Sequence, residues 1–175
     1  NKRHLVPFGE YTPFKKIFSY IANKLNMPMS NLSHGNLNQK PFLMDNIIIH
    51  PLICYEIAYS SLINMTDDYS IIVNISNDSW FGNTFAPYQH LQIAQVRALE
   101  TAHPIIRAAN TGISAIIDKN GLIIKEISLD TEGLISGEVY PSRGISPYMY
   151  FGDYPVLMLI FSIMLFYWKC YRKYE

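Results

Sequence analysis

The sequence predicts an α/β layered domain that ends in one apolar C-terminal helix. Two observations carry that expectation. Short β-like apolar runs are interspersed with helically spaced segments, the pattern of strands and helices that pack in layers. From Tyr154 to Trp168 the chain then reads YPVLMLIFSIMLFYW, without a charge. A third feature, Asp118-Lys119-Asn120-Gly121 between two apolar runs, is a strong hairpin turn.

Taken in order, residues 1 to 14 contain Pro7, Gly9 and Pro13 and read as a loop carrying functional side chains. Phe14, Ile17, Phe18, Ile21 and Leu25 have helical spacing, and the Asn-, Ser- and Gly-rich stretch from Asn26 to Lys40 is a polar loop. Ile47 to Ile49 and Leu52 to Cys54 are β-like, with Pro51 marking an irregularity, and a helix is expected from Glu56 to Ile63. Tyr69 to Ser76 (YSIIVNIS) is a run of the kind buried in a sheet. Pro87 opens a helix to about Ala102, with Leu91, Ala94, Ala98, Leu99 and Ala102 on one face. Ile105 to Ala109, Ser114 to Ile117, Leu122 to Ile127 and Leu134 to Val139 are expected strands, and Tyr140 to Asp153 a linker.

At 175 residues the chain can bury one substantial core, so a single domain is expected. Its 14 acidic and 14 basic side chains cancel and no basic face is evident, which gives nucleic-acid binding no support. Cys54 and Cys170 do not have metal-ligand spacing, and their separation by the apolar run argues against a disulfide between them. The chain starts at Asn1 without a signal peptide, and is expected to be the back portion of something longer.

The tail bears on the compartment. Residues 154–168 as a helix span about 22 Å, short of the hydrocarbon core of about 30 Å. Tyr148, Tyr150, Phe151 and Gly152 before the run, and Tyr167 and Trp168 at its end, supply the interfacial flanks. The alternative is a buried core helix; the membrane span is the reading adopted. Lys169, Arg172 and Lys173 then place residues 169–175 in the cytoplasm and the preceding domain on the outer side. There, a lone domain thiol has no partner for an internal disulfide.

The chemistry centres on Cys54, in His50-Pro51-Leu52-Ile53-Cys54-Tyr55-Glu56, where an apolar strand gives out. A free cysteine is often a small buried hydrophobe. At a strand-to-helix junction, however, the helix N-terminus favours a thiolate. His50, four residues away, lies about 13 Å along an extended strand and cannot touch the sulfur unless Pro51 folds the chain back. His90 and His103 can reach it only through tertiary folding. Lys2 and Glu10, each a solvated surface charge if taken alone, offer an ammonium to stabilise thiolate and oxyanion and a carboxylate in an apolar, Pro-rich loop.

The segments KRHLVPFGEYTPF, LICYEI, NISNDSWFG and RAANTGISAIID, in this order over essentially the whole chain, resemble the nitrilase (carbon-nitrogen hydrolase) superfamily. More narrowly they resemble the apolipoprotein N-acyltransferases. The resemblance implies a nitrilase-like α-β-β-α sandwich, of which residues 1–140 are the C-terminal part of the catalytic domain. The linker at 141–153 and one transmembrane helix at 154–168 follow. That family uses a Glu-Lys-Cys triad. By motif position Cys54 is the nucleophile, Lys2 the triad lysine and Glu10 a supporting glutamate. Tyr55 and Glu56 follow the nucleophile as substrate-binding or supporting residues, and Trp80 stands near the entrance. Arg107, Asn110 and Thr111 hold the fold.

The triad's general-base glutamate belongs upstream of the lysine motif and is absent from this chain. By itself the chain is therefore expected to be catalytically incomplete, to leave sheet edges unpaired and a core face uncovered, and to need the upstream half of the same protein. The implied reaction moves a fatty acyl group from a phospholipid, through a Cys54 thioester, to the N-terminal amine of diacylglyceryl-cysteine in an apolipoprotein. It needs no metal or cofactor. The implied place is the bacterial inner membrane, with the catalytic domain facing the periplasm. Two alternatives stand beside it: a nitrilase-type amidase acting on small amides, and a non-enzymatic half-protein that works by pairing with another chain.

Overall fold

Runs rich in isoleucine and valine build a six-stranded mixed sheet in the computed structural model, which describes residues 1–7, 9–11, 32–63, 66–82 and 84–172. The predicted helix from Phe14 to Leu25, and Lys173 of the basic tail, lie outside the described residues. The strands are β1 (Phe42–Met44), β2 (Ile47–Ile53), β3 (Ser70–Asn77), β4 (Ile105–Asn110), β5 (Ser114–Ile117) and β6 (Ile123–Ile127), neighbours in space in chain order. β2, β3 and β4 run parallel, whereas β1 pairs antiparallel with β2, β5 with β4, and β6 with β5. Such a parallel centre needs a crossover, and α1 (Ala86–Thr101) supplies it between β3 and β4.

Register sets which side chains meet α1. Ile72 lies between His50 and Ile105, and Asn74 between Leu52 and Arg107, so one face of the sheet carries all six. Leu91, Ala94 and Ala98 of α1 close over that face and share its core with Leu52, Ile72 and Ile105. Side chains alternate along a strand, and the opposite face presents the paired Ile53 and Ile75, both exposed.

Pro51 does not interrupt β2. Ile48 N–H donates to Tyr69 O on the β3 side, so by alternation the N–H that Pro51 lacks would face away from β3. β1 pairs only with Ile47 to Ile49, leaving the strand open there, and a proline sits without loss of a ladder bond. β1 itself was not expected. Its signal was Asp45-Asn46, both with positive φ (47° and 66°), the two-residue turn that joins antiparallel strands.

Three expectations are corrected. The predicted helix from Glu56 to Ile63 is instead two short 3-10 turns, Cys54–Ala58 and Ser60–Leu62. Leu134 to Val139 forms no strand: Leu134 is 94% exposed, so the segment has no buried face to hold it in register. The buried face of α1 is Pro87, His90, Leu91, Ala94, Arg97, Ala98 and Thr101, while Leu99 is exposed. Polar residues take this face because their side chains are bonded. Arg97, for example, donates from Nε to Ile57 O (3.0 Å) and from Nη2 to Ala58 O (2.9 Å), tying the first 3-10 turn to the helix.

After the sheet the chain returns to it through an isolated bridge between Ser142 and Ser70. The short helix α2 (Pro147–Phe151) is capped by Ser146, whose Oγ accepts from Met149 N (3.2 Å) and donates to Glu100 O at the end of α1. α3 (Tyr154–Arg172) follows, 19 residues and about 28 Å long, with no residue buried. By length and composition it is the one described helix long and apolar enough to cross a membrane.

Ile72 has no exposed surface and lies on the central strand. Ile72→Ala in the full-length protein should cost about 2–5 kcal/mol, read as a fall in unfolding free energy by urea denaturation.

Candidate active site

β2 ends at Ile53, and the next residue turns the chain sharply. Cys54 has φ 53°, a left-handed conformation that costs a non-glycine residue about 1–2 kcal/mol. Two buried side chains hold it there by its carbonyl: Asn74 Nδ2 donates to Cys54 O at 3.2 Å and His90 Nε2 lies 3.3 Å from it. A carbonyl only accepts, so His90 carries a hydrogen on Nε2. The half-buried thiol side chain is thus fixed at the rim of the sheet. The five-residue 3-10 turn that follows aligns too few peptides to supply the helix dipole expected to favour a thiolate.

Glu56 joins this strand end to the N-terminal loop. It is 1% exposed, and its two carboxylate oxygens accept three backbone N–H groups. Oε2 accepts from Ile53 N (2.8 Å); Oε1 accepts from His4 N (3.1 Å) and from Arg3 N. Arg3 reinforces the junction, donating from Nη1 to Leu62 O at 3.0 Å. Lys2 and Cys54 each stand one residue from this clamp, which brings two segments about fifty residues apart in sequence to one place.

Lys2 is itself held. Its Nζ donates to Glu10 Oε1 (2.6 Å) and Oε2 (2.7 Å), and Glu10 Oε2 also accepts from Val6 N at 2.8 Å. The side chains are 11% and 20% exposed, so the pair is partly shielded from solvent. A charge-assisted pair of this kind fixes the position of the ammonium.

Beneath Cys54 lies a buried polar network. Arg107 Nη2 donates to Asp78 Oδ2 (2.7 Å), Nη1 donates to Asn74 Oδ1, and Nε donates to Ile113 O (3.2 Å). Asp78 Oδ1 accepts from Ser76 Oγ (2.6 Å) and lies 3.0 Å from His90 Nδ1. Burial would raise the Asp78 carboxyl, but hydrogen bonds with His90 and Ser76 and the Arg107 charge outweigh it and hold it below its ordinary range. Gly112 seals the network. A Cβ there would stand 2.7 Å from Asp78 Cγ, so only glycine permits this approach.

The carbon-nitrogen hydrolase family model matches residues 1–146. The chain belongs to the carbon-nitrogen hydrolase family. Among curated proteins it is similar to the apolipoprotein N-acyltransferase of Photobacterium profundum, 40% identical over 89% of this chain and 31% of that one. It is likewise similar to those of Nitrosomonas europaea (41% identical; 94% and 33%) and Coxiella burnetii (42% identical; 94% and 34%). The chain therefore spans about a third of the length of the relatives it matches.

Within this carbon-nitrogen hydrolase fold, Glu56 joins the loop that carries Lys2 and Glu10 to the strand end that carries Cys54. Tyr55 is 37% exposed and meets Tyr59 edge-on at 5.5 Å between ring centroids. Trp80, 71% exposed, stands on the turn after β3, next to Phe81, whose ring lies 6.0 Å from that of His90. β2 runs straight from His50 to Ile53, which leaves His50 without access to the thiol. His90 reaches the Cys54 carbonyl. Asn74 and Asp78 were not singled out from the sequence, although NISND holds both. Arg107 was read there as fold-holding, and its bonds to Asn74 and Asp78 give that role a location.

Two predictions follow from these contacts. Glu56→Gln places an NH₂ where an acceptor is needed, leaving at least one buried N–H unsatisfied. It should lower the unfolding free energy by about 1–3 kcal/mol in thermal denaturation. His50 is 6% exposed and its Nε2 has no hydrogen-bond partner among the described residues. Burial, His103 and Arg3 together lower its pKa to about 4. The folded state thus resists protonation while the unfolded state accepts a proton near pH 6.5. Stability should be full above pH 6.5 and fall by up to about 3 kcal/mol as pH drops to 4. His50→Gln should flatten that part of the stability–pH curve.

Proposed function

We propose that this chain is the nucleophile-bearing part of a membrane N-acyltransferase that acts on bacterial apolipoproteins. The observation that carries the reading is the Glu56 clamp, which brings a loop bearing a paired lysine to a strained, strand-end cysteine. The names of the relatives supply the substrate class.

In this reading Cys54 Sγ attacks the ester carbonyl of a phospholipid. The S–C bond forms, the C–O bond breaks, and a lysophospholipid leaves as its alcohol after taking a proton. The α-amine of diacylglyceryl-cysteine then attacks the thioester; the N–C bond forms, the S–C bond breaks, and the amine proton returns to the thiol. Lys2 stabilises the thiolate and the oxyanion in both halves. A trans peptide sets C=O and N–H antiparallel. Because the Cys54 carbonyl points inward to Asn74 and His90, the Tyr55 N–H points outward, where it can donate to the same oxyanion. Glu10 holds Lys2, and Trp80 borders substrate entry. The general base is a glutamate supplied from upstream of Lys2, which also brings the layer that covers Ile53 and Ile75.

α3 crosses the inner membrane in this reading, with Lys169 and Arg172 on the cytoplasmic side and the domain in the periplasm. Both lipid substrates would then reach Cys54 from the bilayer. The test is intact-protein mass spectrometry of the full-length, membrane-purified protein incubated with phospholipid. A fatty-acyl mass increase is expected, lost in Cys54→Ala and discharged by a diacylated lipopeptide. Hydrolysis of small amides without any acyl adduct would overturn the reading in favour of a soluble-substrate amidase.

A further inference from the structure

The Asp78–His90–Arg107 cluster is costly to bury, and its outlet is a single backbone carbonyl. His90, Asp78 and Arg107 are 3%, 2% and 2% exposed. Two opposite charges and an imidazole under a sheet give little net stability compared with an apolar filling of the same volume. What they do give is a fixed ring. His90 Nδ1 lies 3.0 Å from Asp78 Oδ1 and 3.2 Å from Arg107 Nη2; it makes one of these hydrogen bonds at a time, donating to the carboxylate or accepting from the guanidinium, and both groups are themselves held, by Ser76, Asn74 and Ile113. Its other nitrogen is then committed to Cys54 O. The phenyl ring of Phe81 closes against it edge-on.

We propose that His90 is a positioning residue for the nucleophile, braced by Asp78 and Arg107 to hold the Cys54 carbonyl inward. It does so through the peptide, never touching the sulfur. Holding that carbonyl fixes the left-handed φ of Cys54, and with it the direction of the thiol and of the Tyr55 N–H. Asn74 makes the second contact, its Nδ2 giving one hydrogen to Leu52 O (3.1 Å) and the other to Cys54 O (3.2 Å). Loss of the His90 bond should therefore leave substrate binding intact and slow the chemical step, since a misplacement of about 1 Å can cost on the order of a hundredfold.

The inference rests on the proposed role of Cys54 as nucleophile, and the experiment separates the two. Full-length protein is mixed with a short-chain p-nitrophenyl ester, and the nitrophenolate burst is followed under single-turnover conditions. A wild-type burst that is absent in Cys54→Ala supports the nucleophile reading; its absence from wild type overturns that reading. Three variants then address His90. His90→Gln keeps a donor near the Nε2 position, His90→Asn keeps a polar group toward Asp78 but falls short of Cys54 O, and His90→Leu removes both. Thermal melts establish the folded fraction of each. Because Gln and Asn are both neutral amides, the contrast between them survives a failure of His90→Leu to fold. His90→Asn and His90→Leu should acylate about 10- to 100-fold more slowly than wild type at unchanged half-saturating ester. His90→Gln should recover at least tenfold over His90→Asn. Equal burst rates in folded His90→Asn, His90→Gln and wild type would overturn the inference.

Discussion

The carboxylate of Glu56 is the contact on which the site depends. A buried carboxylate needs compensation, and here its compensation is three backbone N–H groups, one from the end of β2 and two from the N-terminal loop. None of these donors has a sheet partner at that point, since β2 is open beyond Ile49 on the side away from β3 and Arg3 and His4 belong to no strand. Each side therefore satisfies the other. The lysine loop cannot leave without stranding an anion in the interior, and this makes the junction an all-or-none feature.

A second, separate network works from below. Arg107, Asp78, His90 and Asn74 come from β4, the end of β3, α1 and the middle of β3, so the elements that build the layer also fix the turn after β2. The two networks grip opposite flanks of one residue: Glu56 holds the N–H of Ile53, just before Cys54, and the lower network holds the carbonyl of Cys54 itself. Packing of Ile72 and Ile105 under α1 gives this arrangement a rigid floor. The scaffold and the chemistry thus share side chains, and the sheet centre has little freedom to vary without moving the thiol.

The layered class, most of the strands and the strand end at Cys54 were legible because they depend on local patterns: apolar runs and hairpin residues. Glu56 was visible as a residue following the candidate cysteine, but its partnership with Arg3 and His4 was not, because nothing in a sequence reports which distant N–H groups lack partners. His90 and Arg97 were hard to place for a related reason. Polar residues on a helix read as its wet face, and only folding shows that theirs are buried against carbonyls. The expected helix after Cys54 failed because left-handed φ at residue 54 and bonds from Glu56 back to the strand hold the backbone in 3-10 turns. Leu134 to Val139 was read as a strand but buries no residue.

The positive φ of Cys54 sets the aim of stability against the aim of chemistry at one position. Glycine adopts that conformation freely, and asparagine with less strain than a thiol-bearing residue. A sequence chosen solely to stabilise this backbone would therefore place glycine at residue 54 and lose the sulfur. Computational redesign and laboratory selection for thermal tolerance both push in that direction. The backbone conformation itself gives no reason for a thiol at this position. Residue 54 is thus a place where backbone stability and the proposed chemistry ask for different side chains.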